Sequence, residues 1–169
     1  FYTVFLPLME EIGFLWQTFT ITAAHEHFLS NLIKQKLMTN IEKLNNNKPE
    51  KTDKVFVLYL PYDEVHELGL MYLNYEVISN GYKSIYLGES VPLESLKDLK
   101  NYFDNIVYVC YMTVEPQKEE VENYIQRIEN EVIDETSELW LIGRMTEYAQ
   151  KERPYMRVFN SIESLSENL

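Results

Sequence analysis

Val55-Phe56-Val57-Leu58-Tyr59-Leu60, then Pro61-Tyr62-Asp63, then Glu64-Val65-His66-Glu67-Leu68-Gly69: an apolar run enters a short turn and a histidine loop, and an apolar-periodic segment leaves it. An unbroken apolar run bounded by turn residues reads as a strand covered on both faces, and the helical pattern after it completes a strand–helix unit. The unit recurs along the chain. Strands are expected near residues 54–60, 84–87, 105–112 and 138–142, with a further one near 156–159, and helices near 66–79, 93–103, 117–133 and 161–167. This rhythm means a parallel sheet with helices on both faces, so the expected class is a flavodoxin-like, doubly wound α/β fold. Gly81 is expected to cap the first of these helices and Gly88 to lie just past the second strand. In open sheets of this kind ligands bind beyond the carboxyl ends of the strands, which turns His66 toward a cofactor or substrate.

Upstream, residues 1 to about 45 read as two helices. Phe5, Leu8, Met9, Ile12, Leu15 and Trp16 recur at helical spacing, and Ile21, Ala24, Phe28, Leu32, Leu37, Ile41 and Leu44 do so again. Gln17-Thr18-Phe19-Thr20-Ile21-Thr22 between them carries hydroxyl residues suited to a turn and an N-cap. The polar segment 46–53, with Pro49, reads as a linker to an α/β domain over 54–169. No internal repeat is evident.

Composition narrows the function classes. A chain of 169 residues with 46% apolar content suits one packed domain plus a smaller helical piece. No apolar run approaches the roughly 20 residues that cross a bilayer. The single cysteine, Cys110, falls in a strand, which fits a reducing, cytoplasmic setting, and no signal peptide is expected. A net charge of -12 argues against DNA binding by this stretch, because phosphates require clustered Lys and Arg. The 13 tyrosines show no basic interleaving that would make a base-stacking surface. The segment Lys118 to Glu131, with Val121, Ile125 and Ile128 on one face, is a solvated amphipathic helix. Nothing resembles a phosphate loop or a hydrolytic triad. Because the chain begins at Phe1, already in a helical pattern, it is read as part of a longer protein.

The spacing Glu64-x-His66-x-x-Gly69 lets a carboxylate hold one imidazole nitrogen while the other is free for a metal, and Gly69 lets a large group approach the backbone. The alternative is that Glu64 and His66 cap the next helix. His25 and His27 do not form a helical zinc pair, since residues two apart point about 200° from one another; His25 is expected to face solvent.

The run from Leu60 to Pro92, with His66-Glu67-Leu68-Gly69 and Tyr86-Leu87-Gly88 before Val91-Pro92, resembles the cobalamin-binding domain of corrinoid methyl carriers and cobalamin-dependent regulators. The resemblance implies that His66 is the lower cobalt ligand, supported by Glu64 where methyl carriers usually show aspartate. In the helical half, Trp16, nine residues, and Glu26-His27 resemble the Trp-x9-Glu-His signature of light-responsive, MerR-type repressors that use adenosylcobalamin. It implies a roof in which Trp16, Glu26 and His27 cover the upper face. Without the resemblance, Trp16 reads as a core aromatic and His27 as an interhelical hydrogen-bond partner.

Three departures from that pattern bear on the cofactor. The slot for its nucleotide tail usually carries Ser-x-Leu after the third strand and Gly-Gly after the fourth; those places are read here as Cys110-Tyr111-Met112 and Gly143-Arg144. Arg144 either bonds the tail phosphate or fills the slot. Gln17 stands where well-studied members have a histidine, so a bis-histidine photoproduct is not expected. The expected cofactor contacts are therefore Trp16, Glu26, His27, Glu64, His66, Gly69, Leu87, Gly88, Cys110, Met112, Gly143 and Arg144, with His66 the metal ligand. The expected whole is the non-enzymatic sensory part of a MerR-type regulator. It would self-associate as a dimer or tetramer, touch DNA only through a missing N-terminal domain, and make no membrane contact. A methyl carrier and a cofactor-free oligomerisation module are the alternatives.

Overall fold

The apolar runs do become strands. In the computed structural model, which describes residues 4–150 and 152–169, β1 (Lys51–Tyr59), β2 (Tyr82–Gly88), β3 (Ile106–Tyr111), β4 (Glu138–Ile142) and β5 (Met156–Phe159) form one sheet. Its order is β2-β1-β3-β4-β5 and every pairing is parallel. The chain leaves β1 toward β2 and returns to lay β3 on the other edge of β1, so the order reverses beside β1 and the loops after β1 and β3 meet at the crevice.

Strand alternation divides the core into two layers. Phe56, Leu58, Val107, Val109, Trp140 and Ile142 face α3 (Leu68–Ser79) and α6 (Ile162–Ser166). Val57, Tyr59, Tyr108, Cys110, Leu139 and Leu141 face the opposite layer, which holds α5 (Val121–Glu131) and the short α4 (Glu94–Lys97). Burying both faces explains why these strands read as continuous apolar runs, each large side chain contributing about 1.5–3 kcal/mol.

The helical part is a hairpin of α1 (Phe5–Gln17) and α2 (Ala23–Asn45). Thr22, extended at φ -89° and ψ 163°, caps α2: its N–H donates to Nδ1 of exposed His25 at 3.3 Å, and its hydroxyl lies 2.9 Å from the same nitrogen. The stripe of α2 that packs onto the sheet layer is Ile33 and Leu37, with Ile41 partly buried beside them. This corrects the expected periodic series, in which Phe28 and Leu32 belong to the buried face; both are exposed, at 65% and 43%. On α1, Ile12 is buried; the side chains of Met9 and Gln17, like residues 1–3, lie outside the described ones.

Other boundaries shift for local reasons. β1 begins at Lys51, inside the segment read as linker, because the N–H groups of Glu50 and Lys51 both donate to Gly81 O at 2.9 Å and draw the chain into the sheet early. Asn80, not Gly81, is the C-cap of α3, with Gly81 following at φ +84°, and Gly88 is the last residue of β2 rather than the one beyond it. The expected helix over 93–103 divides into α4 and a tighter 3-10 turn, Asp98–Asn101. Among the described residues no helix is long and apolar enough to cross a membrane.

Docking of α2 through Ile33 and Leu37 sets an expectation. Leu37→Ala should cost about 2–4 kcal/mol, read as a lower urea midpoint, whereas Leu32→Ala should stay within about 0.5 kcal/mol.

Candidate functional site

Beyond Tyr59 the chain leaves the sheet and turns so that Glu64 points back into the protein, where it is 1% exposed. Local hydrogen bonds hold the turn: Glu64 N–H donates to Pro61 O at 3.0 Å, Ser90 N–H to Glu64 O at 3.0 Å, and Val91 N–H to Leu60 O at 3.0 Å. The loops after β1 and β2 are thereby joined.

The Glu64 carboxylate joins the third loop to them. Oε1 accepts from the N–H groups of Val65 (2.9 Å) and His66 (3.0 Å) and from His66 Nδ1 (2.5 Å). Oε2 accepts from the N–H groups of Thr113 (3.1 Å), Val114 (2.6 Å) and Glu115 (2.9 Å), directly after β3. Burial pushes the carboxyl pKa up, but the N–H groups of Glu115 and Val114, the His66 ring and the His66 N–H outweigh it, and the group falls from 4.5 to about 2. It is therefore a carboxylate at neutral pH and can only accept.

That selects the tautomer of the neutral His66 ring. With an acceptor on Nδ1, the neutral ring carries its proton there, and Nε2 holds the lone pair. The ring is 57% exposed, and Nε2 has no hydrogen-bond partner among the described residues. α3 starts only at Leu68 and its N-cap is Glu67 without a side-chain bond, so neither Glu64 nor His66 is a helix cap. A carboxylate orienting an imidazole whose other nitrogen is open is the arrangement that prepares histidine for a metal. Among the described residues no group of three or more His, Cys, Asp or Glu side chains is arranged to hold an ion by itself; His66 can supply one ligand to a metal whose other positions are filled elsewhere. Exposed apolar side chains come from the same crevice loops, Tyr62, Val65 and Val114, and from the end of β2, Leu87.

Glu67, the residue after His66, is the polar link to the helical hairpin. Its Oε1 pairs with Lys34 of α2, and its Oε2 accepts from the Tyr86 hydroxyl of β2 at 2.9 Å. No other ion pair among the described residues joins α1 or α2 to the α/β domain. Burial first, then the Glu67 charge, push the Tyr86 hydroxyl pKa upward, so it stays a donor. The local sequence holds no signal for this link, because Lys34 and Glu67 meet only through tertiary packing.

The structure places the remaining expected residues unevenly. Trp16 is 51% exposed, and its indole N–H has no partner among the described residues, so it is not a core aromatic. His27 Nδ1 meets Glu26 Oε2 at 2.7 Å, and Ser30 Oγ donates to Glu26 Oε1 at 2.5 Å; the histidine bonds within its own helix rather than across to another. Leu87 and Gly88 end β2 at the same sheet edge as His66.

Cys110 and Met112 are a correction. Alternation along β3 and into the residue after it turns both into the α5-side core, where each is 0% exposed, and burial pushes the Cys110 thiol up to about 12. Tyr111, between them, faces the other way. Its ring lies against Gly69, where an added Cβ would meet Tyr111 Cε2 at 2.7 Å, and it borders a cleft of about 340 Å³ at the ends of β3, β4 and β5. The period of two along the strand is the signal that points to Tyr111 instead of its neighbours. Gly143, at φ +109°, packs on Met112, whose carbonyl oxygen would lie 2.3 Å from an added Cβ, so this glycine serves the chain's own backbone. Arg144 lies exposed on the cleft wall with Glu147, and so does not plug the cleft.

No family model matches the chain. Over 93 residues it is 30% identical to the HTH-type transcriptional repressor CarH of Myxococcus xanthus, a stretch that covers 55% of this chain and 30% of that protein. Its fold is that of a monomethylamine corrinoid protein of Methanosarcina barkeri, with a TM-score of 0.74 at 12% identity over 95% of this chain and 76% of the other. A cobalamin-binding protein of Desulfitobacterium hafniense aligns with a TM-score of 0.52 at 13% identity, over 95% and 75% of the two chains. The methanol:cobalamin methyltransferase complex MtaBC of Methanosarcina barkeri aligns at 0.50 and 18% identity, over 94% and 60%.

The depressed Glu64 pKa fixes a pH dependence. A carboxyl whose folded pKa lies below its unfolded one stabilises fully above about pH 4.5 and loses that contribution as pH falls toward 2. The shift corresponds to about 3 kcal/mol. Denaturation of wild type and Glu64→Gln across this range should show the difference between them shrinking as pH falls; a constant difference would contradict the assignment. A double-mutant cycle on Lys34→Met and Glu67→Gln should give a coupling of about 0.5–1 kcal/mol in thermal unfolding.

Proposed function

We propose that this chain is a cobalamin-binding domain in which His66 would ligate the cobalt through Nε2. The observation that carries the reading is the fixed His66 ring: Nδ1 is held 2.5 Å from the buried Glu64 carboxylate and Nε2 is open at the carboxyl edge of the sheet. One imidazole with no further protein ligand among the described residues suits a metal whose other positions belong to a macrocycle. Tyr62, Val65, Leu87 and Val114 supply apolar surface for a large flat group. When bound, adenosylcobalamin would supply a cobalt–carbon bond that light can cleave.

The chain's own residues then have distinct tasks. Glu64 fixes the His66 tautomer and raises its basicity as a ligand. Glu67, held by Lys34 and Tyr86, ties the loop carrying His66 to α2, so a change at the site has a direct route to the helical hairpin. Trp16, with Glu26 and His27, would pack on the bound group from the hairpin. A switch of this sort requires the bound group to favour one of two arrangements of hairpin and domain. On this reading the protein is the sensory part of a MerR-type transcriptional regulator, and cofactor state governs self-association and DNA binding by an N-terminal domain. The 30% identity to CarH and the Trp16, Glu26 and His27 spacing favour it. A second reading, a corrinoid methyl carrier without its own catalysis, is favoured by the fold shared across nearly the whole chain with the monomethylamine corrinoid protein.

The test is to mix purified protein with adenosylcobalamin in the dark, remove free cofactor by gel filtration, and record spectrum and elution volume before and after green light. Retained cobalamin whose histidine-ligated spectrum is lost in His66→Ala supports cobalamin binding. A spectrum and an elution volume that change together on illumination support the regulator. Retention with an unmoved elution volume, and a cobalt methylated by a partner methyltransferase, supports the carrier. Failure to retain either cobalamin or cobinamide, its form without the nucleotide tail, overturns both and leaves a cofactor-free interaction module.

A further inference from the structure

If His66 ligated cobalt it would take the place of cobalamin's own base, and the nucleotide tail that carries this base would have to be housed on the His66 side. This inference rests on the cobalamin reading above. A recess lies at the ends of β3, β4 and β5, with Gly143, Arg144 and Glu147 on its wall. The ring of Tyr111 lies between that cleft and Gly69, three residues after His66. It borders the cleft and also rests against Gly69, in the first turn of α3, its Cε2 and Cζ atoms 2.7 and 2.9 Å from where a Cβ would be. The close approach that Gly69 permits is thus occupied by the chain itself.

We infer that Tyr111 is a specificity-determining residue that closes the passage between Gly69 and β3, so that this domain favours corrinoids lacking the nucleotide tail. Discrimination of this kind is a difference of affinities created by a clash with the larger ligand. Arg144 does not create it, because its side chain is on the exposed wall rather than in the passage.

The test compares diaquocobinamide, which has no nucleotide tail, with hydroxocobalamin, by spectroscopic titration of the purified chain. The free energy of displacing the intramolecular base is common to all variants, so the change in affinity ratio isolates Tyr111. Wild type should bind the cobinamide at least about tenfold tighter; Tyr111→Ala should narrow that ratio by about tenfold, through tighter cobalamin binding with cobinamide nearly unchanged. Tyr111→Phe, which keeps the ring, should keep the wild-type ratio, and Tyr111→Leu provides a second open variant if the alanine protein does not fold. An equal affinity of wild type for both corrinoids, or a ratio that Ala and Leu leave unmoved, overturns the inference while the cobalamin reading stands. Absence of binding of either corrinoid to wild type and variants overturns the cobalamin reading and this inference with it.

Discussion

A buried carboxylate held almost entirely by backbone N–H groups organises this protein. Glu64 is removed from water, yet its two oxygens take six hydrogen bonds, five from backbone N–H groups and one from an imidazole. Isolated charges are expensive in a protein interior, and this one persists because every lone-pair direction is met by a donor. In return the loops after β1 and β3 become one object, and since β1 and β3 are neighbours at the point where the strand order reverses, that object is the floor of the crevice. The position and tautomer of His66 follow from the same group.

Around this floor the two halves of the chain meet differently on their apolar and polar sides. Ile33 and Leu37 give α2 its area of contact, which is non-directional and tolerates sliding. Lys34, one position beyond Ile33, adds a directional bond to Glu67 and so sets where along the domain the helix rests. Because Glu67 is adjacent to His66 and also holds Tyr86, the register of the hairpin and the state of the ligand site share one residue. Exposed apolar side chains of the hairpin such as Phe14, Trp16, Phe19 and Phe28 belong to its surface and take no part in this docking.

Much of the fold was legible in the order of residues. Five apolar runs each bounded by turn residues, with helical patterns between them, specify a parallel sheet covered on both faces because only such strands lose their polar alternation. The pair Glu64 and His66 was legible for a similar reason: residues two apart in a loop bond through purely local geometry, and the structure shows that bond. The helical hairpin was legible as two helices and a turn, but not in its buried face. The apolar positions of α2 exceed what one stripe can bury, and Phe28 and Leu32 compete in sequence with Ile33 and Leu37 on equal terms.

The tertiary structure decided everything that depends on which layer a side chain enters. A one-residue difference along β3 sends Cys110 and Met112 into one layer and Tyr111 into the other, so a motif aligned by residue type alone put the wrong side chains at the cleft. It also decided that Glu64 is saturated by the backbone of residues 113–115, and that Lys34 meets Glu67, since these partners are distant in the chain and bear no mark of each other. Sequence by itself determined the element order, the fold class and the local Glu64–His66 pair, because periodicity and short-range spacing are properties of neighbouring residues. What faces what across the crevice was decided by packing, because contacts between remote segments exist only once the sheet has brought their loops together.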